Sequence, residues 1–104
     1  MRPIRLARME KTRPVLVLTR ERALDAMSWV TVAPITSTVK GLFTEVPVGP
    51  ANGLDHSCVI SCDNLQTIPT SQLGRTIGLL HESQEPALAR ALASAFDLRV
   101  EDLT

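Results

Sequence analysis

A small, strongly bent antiparallel sheet or barrel with one C-terminal α-helix, in the α+β class, is the fold this chain predicts. Three observations carry the expectation. Short apolar runs rich in Val, Ile and Leu recur from Pro3 to Leu80, turn signals separate them, and a single helical stripe closes the chain. With 104 residues and 44% apolar content, the chain is expected to form one domain, residues 1–104, around one modest core.

The elements follow in order. Pro3 to Met9 alternates, with Ile4 and Leu6 on one side and Arg5 on the other, so a half-buried first strand should end near Arg8. Val15 to Leu18 is an almost continuous apolar run and predicts a central strand buried on both faces, with Pro14 at its start. Arg20 to Met27 reads as a surface turn or a helix of one or two turns. Trp29 to Ile35 is a third strand, and the large apolar area of its tryptophan favours a place in the core. Leu42 to Val48 is a fourth strand that Pro47 marks as edge or bent. Gly49 to Asp55 is a loop built on the turn dipeptide Asn52-Gly53. Ser57 to Cys62 and Asp63 to Ile68 are extended, Ser71 to Gly74 turns, and Arg75 to Leu80 is the last strand. Ser83 is placed to cap a helix whose first turn holds Glu85 and Pro86. Leu88, Ala91, Leu92, Ala95 and Phe96 form its apolar stripe, and the helix should lid the sheet and end near Leu98.

Net charge is zero, but its distribution is uneven. Residues 1–40 carry eight Lys or Arg against three acids, and residues 41–104 carry three against eight. That asymmetry suggests a basic face for a polyanion. No apolar run is long enough to span a membrane, and MRPIRLARMEK has arginines where a signal peptide needs an apolar segment, so the expected compartment is the cytoplasm. Cys58 and Cys62 would share one face of a strand roughly 13 Å apart at ~3.3 Å per residue, too far for a disulfide. Two thiols without matching histidines do not make a zinc site, and both read as buried small hydrophobes.

The chemistry concentrates between Arg13 and Thr38, where one strand opens on Arg13-Pro14 and the next closes on Pro34-Ile35-Thr36-Ser37-Thr38. If the two strands pair, a guanidinium with five fixed donors stands beside a cluster of hydroxyls, an arrangement suited to a phosphodiester. His56 and His81 could in principle supply an acid and a base, but nothing in their spacing brings them together.

Several segments in order resemble the MazF/PemK family of bacterial toxin endoribonucleases. They are Arg13-Pro14-Val15-Leu16-Val17-Leu18, Val32 to Ser37 (VAPITS), Val59 to Thr67 (VISCDNLQT), Leu73-Gly74, Ile77 to Leu80, and a helix closing on Phe96-Asp97-Leu98. The resemblance implies a small SH3-like barrel and metal-independent, sequence-specific cleavage of single-stranded RNA without a cofactor. Attack of the 2′-hydroxyl on the adjacent phosphate would leave 2′,3′-cyclic phosphate and 5′-hydroxyl ends. It implies Arg13 and Thr36 as the catalytic pair, a homodimer, and a cognate MazE-like antitoxin lying across the RNA groove. Ser37, Thr38, Asn64, Gln66, Lys40 and Arg5 are the expected substrate contacts. Two departures stand out: the usual Gly-Glu-Ile-Trp start and long first loop are missing, and Gln66 stands where the family carries an arginine.

Arg13 fits charge stabilisation of the phosphorane better than proton abstraction, since a guanidinium is almost never neutral. No residue is assigned as base. The alternative is a toxin of the same fold that binds and inhibits DNA gyrase without catalysis. A proline-peptide module is disfavoured, because one Trp, two Phe and no Tyr are too few aromatics for such a surface.

Overall fold

The computed structural model describes residues 1–99. Seven antiparallel strands form one curled sheet, a half-barrel, with a single helix after the last strand. The strands are β1 (Arg2–Arg8), β2 (Thr12–Val17), β3 (Trp29–Thr36), β4 (Glu45–Val48), β5 (Cys58–Ser61), β6 (Gln66–Pro69) and β7 (Leu73–Leu80), and the helix is α1 (Glu85–Ala95). Their order is β4-β5-β3-β2-β1-β7, with β6 beside β3 as a branch. The proline-bearing β4 lies at the edge, where its missing N–H costs no ladder bond.

The curl comes from β3. Along one edge it pairs first with β6, from Trp29↔Pro69 to Val32↔Gln66, and then with β5, Ile35↔Ile60 and Thr36↔Val59. Along its other edge it pairs with β2 only from Val32 to Pro34. One strand thus serves two directions of sheet, and two cores result. The larger one joins Ile4, Leu16, Ala33, Ile60 and Leu80 to Leu88 and Ala91 of α1, so the helix lids the sheet as its stripe predicts. The smaller one holds Ala7, Val15, Val17, Val30, Val32 and Ile68 on the opposite face. Strand β2 feeds both, which is why its apolar run is continuous. Cys58 and Cys62 are free and buried in the larger core.

Four expectations need correction. Trp29 is 55% exposed, because it lies on the face of β3 shared with Thr31, beyond the reach of the larger core. Leu42 and Phe43 precede β4 in a turn closed by Glu45 N–H to Leu42 C=O. Ser83 caps nothing: a 3-10 turn, Glu82–Gln84, leads into α1, and Gln84 Oε1 accepts the His81 N–H instead. Phe96 stands one residue past the helix and is exposed, leaving Leu88 and Ala91 as the buried stripe with Leu92 and Ala95 beside them.

The loop before β5 is welded to β7. Buried Asn52 donates from Nδ2 to Leu79 C=O (2.9 Å) and to Gln84 Oε1 (2.7 Å), and accepts the Gly49 N–H (3.1 Å). Gly53 has φ of 90°, and a Cβ on Gly78 would run into Asn52 C=O.

Candidate active site

Period two decides which side chains meet. Arg13, Val15 and Val17 share one face of β2, and Val32, Pro34 and Thr36 share the matching face of β3. Since Val15 pairs with Pro34 and the strands are antiparallel, two more steps set Arg13 across from Thr36. Beyond Pro34, however, β3 turns to β5, and the β2–β3 ladder stops. The gap becomes a cleft of about 540 Å³ with Arg13 and Thr36 in its wall.

Thr38, Lys40, Asn64 and Gln66 line the same cleft, so six of the eight expected site residues come together. Two do not. Arg5 lies on β1, one strand further out, and its Nε donates to Gly74 C=O at 2.8 Å. Ser37 lies in the bend just past β3; it is exposed and, unlike Thr36 and Thr38 on either side, does not line the cleft. Neither histidine lines the cleft; His81 bonds to Ala51 C=O through Nε2.

The polar groups of the cleft are unevenly engaged. Nε of Arg13 is buried without a hydrogen-bond partner, the one such side-chain nitrogen or oxygen among the described residues. A buried donor of that kind costs about 1–3 kcal/mol unless an acceptor arrives. The Thr36 hydroxyl accepts the Thr38 N–H (3.1 Å), a local turn bond that still leaves its proton free to donate. Asn64 Nδ2 donates to Ser61 Oγ at 2.8 Å.

Glu45 and Asp63 also line the cleft, and sequence reasoning placed neither there as a site group. Asp63 accepts from Thr44 Oγ1. The Glu45 carboxylate accepts the Leu42 N–H (3.0 Å) and the Lys40 N–H (3.2 Å to each oxygen). Those bonds, with Leu42 the foremost, hold its pKa below the ordinary carboxylate value. The available signal was a carboxylate five residues past Lys40 and three past Leu42, where it can gather the N–H groups of the turn. Among the described residues no three of His, Cys, Asp and Glu cluster closely enough to hold a metal ion.

The profile of the PemK-like, MazF-like toxin of type II toxin-antitoxin systems matches residues 3–96. The chain belongs to this family. Endoribonuclease MazF3 of Mycobacterium tuberculosis (strain ATCC 25618 / H37Rv) is 61% identical over 98 residues, covering 94% of this chain and 95% of that protein. Among solved structures, Mycobacterium tuberculosis toxin MazF-mt6 superposes with a TM-score of 0.92 at 60% identity, covering 93% of this chain and 98% of that one. An endoribonuclease in complex with its cognate antitoxin from a mycobacterial species shares the fold, with a TM-score of 0.82 at 21% identity and 93% of each chain covered. Nothing in these PemK/MazF relatives favours the gyrase-binding alternative.

Proposed function

We propose that this chain is an endoribonuclease toxin that cuts single-stranded RNA at a short sequence by attack of the 2′-hydroxyl on the adjacent phosphate, without a metal. The products are a 2′,3′-cyclic phosphate and a 5′-hydroxyl. The observation that carries the reading is Arg13, its Nε buried without a partner, lining one cleft with Thr36. A scissile phosphate supplies the acceptor that Arg13 lacks, and the charge that builds up on the phosphorane is met by a donor already in place.

Arg13 and Thr36 are the catalytic pair in this reading. Arg13 stabilises the phosphorane, the Thr36 hydroxyl donates to a non-bridging oxygen, and Thr38 and Lys40 hold the strand through its phosphates. Asn64 and Gln66 offer amides that read base edges. Glu45 is a poor candidate for the base, since its oxygens already accept backbone N–H groups. The same reading makes the chain a single PemK/MazF-like domain that works as a cytoplasmic homodimer. A cognate MazE-like antitoxin silences it by covering the cleft.

Incubation of the purified protein with a long defined transcript in EDTA tests the reading. Fragments sharing one cleavage motif and ending in cyclic phosphates are expected. An intact transcript, or ends bearing 5′-phosphates, contradicts it.

A further inference from the structure

The segment from Val39 to Glu45 is a largely exposed turn that contributes Lys40, Leu42 and Glu45 to the cleft wall, and it is well tied for its exposure. The Glu45 carboxylate holds the N–H groups of Lys40 and Leu42, Glu45 N–H closes on Leu42 C=O at 3.1 Å, and Cys62 N–H donates to Thr44 C=O at 3.0 Å. Thr44 Oγ1 adds a bond to Asp63. At the corner of this turn stands Phe43, 93% exposed, the most exposed large apolar side chain among the described residues. Its neighbours Lys40 and Leu42 line the cleft.

We infer that Phe43 is a stacking platform for a nucleobase flanking the scissile phosphate, and that Glu45 is the positioning residue that fixes its turn. The inference rests on the ribonuclease reading. A fully hydrated phenyl ring on a turn pinned by five hydrogen bonds loses little freedom when a flat partner covers it. The ring stands one residue past Leu42 and three past Lys40, both of which line the cleft. Val39 and Leu42 are exposed on the same turn, and a protein surface seated on them is the outcome the oligomeric state would reveal. An RNA base is the occupant, because the turn that carries the ring also carries Lys40, and Lys40 lines the cleft with Arg13, Thr36 and Thr38. It also explains why Glu45 tolerates a place in a site meant for a polyanion: its charge is spent on the N–H groups of the turn.

The test combines enzyme and substrate changes. Single-turnover cleavage is measured on a short RNA and on copies with one abasic nucleotide at each position beside the cut, for the unsubstituted protein, Phe43→Ala and Phe43→Trp. At one position, removing the base should slow the unsubstituted protein and Phe43→Trp by about tenfold. Phe43→Ala should cleave the intact RNA about tenfold more slowly and be indifferent to the base at that position. Glu45→Gln should show the same penalty in weakened form and a raised KM, with its kcat largely kept. Equal rates and equal penalties for Phe43→Ala overturn the inference and leave the ribonuclease reading standing. Normal cleavage by Phe43→Ala with an altered oligomeric state also overturns it, and moves the residue to a protein interface. An unsubstituted protein that cleaves no RNA sinks both.

Discussion

Two buried polar groups in this small domain have opposite surroundings. Asn52, 3% exposed, has both its amide donors and its oxygen engaged, and it joins the loop before β5 to β7 and to the start of α1. Arg13 has a buried Nε with no acceptor at all, at the wall of a cleft. The first group completes a structure, and the second, in the proposed reading, is completed by a ligand. On that reading, polar satisfaction separates a residue that holds the fold from one that uses it.

The largest effect is expected where the satisfied knot is broken sterically. Gly78→Ala drives a methyl into Asn52 C=O, a backbone atom that cannot step aside, and should leave little folded protein by circular dichroism. Asn52→Ala is the milder break. It strands Leu79 C=O and the Gly49 N–H, and chemical denaturation should register a loss of about 2–4 kcal/mol. Cleavage per folded molecule should survive. An Asn52→Ala protein as stable as its parent would dissolve the contrast.

The next effect sharpens the comparison through pH. Burial, helped by neighbouring Asp63, pushes the Cys62 thiol up to about 11 from 9.0. The unfolded chain ionises first, so folding stability should be intact below about pH 9 and fall by about 2 kcal/mol as pH rises toward 11. Cys62→Ala should flatten that alkaline slope in denaturation measured from pH 7 to 11. Glu45 acts at the other end and more weakly. Its folded pKa is lowered, so its contribution is complete above the ordinary carboxylate range and fades only as pH falls through that lower value. Glu45→Gln should therefore lower stability slightly and evenly between pH 6 and 8 and remove the small acid-side loss seen in urea unfolding.

The same contrast explains what could be read from the chain. Strands β1 to β3 were legible because Ile4, Val15 to Val17 and Val30 to Ile35 carry the alternation or continuity that burial demands. The register that sets Arg13 across from Thr36 comes from the structure; in the sequence the two were legible as partners only through the resemblance and on the condition that their strands pair. Trp29 was not, since apolar area says nothing about where along a strand the core ends. Arg5 and Ser37 were misplaced because charge and hydroxyl content do not reveal which face a side chain takes. Asn52 was visible only as a turn residue, as its partners at Leu79 and Gln84 are distant in sequence. Glu45 escaped notice as a site group because its role lies in backbone bonds to the turn before it.

The central claim is that Arg13 is kept for its ligand and not for the fold, and a paired assay on Arg13→Ala tests it most directly. Single-turnover RNA cleavage and urea unfolding are measured on the same preparation. Cleavage should fall by about 100-fold or more while the unfolding midpoint holds steady or rises, since a stranded donor has been removed. Undiminished cleavage, or a midpoint that drops as far as that of Asn52→Ala, would contradict the account.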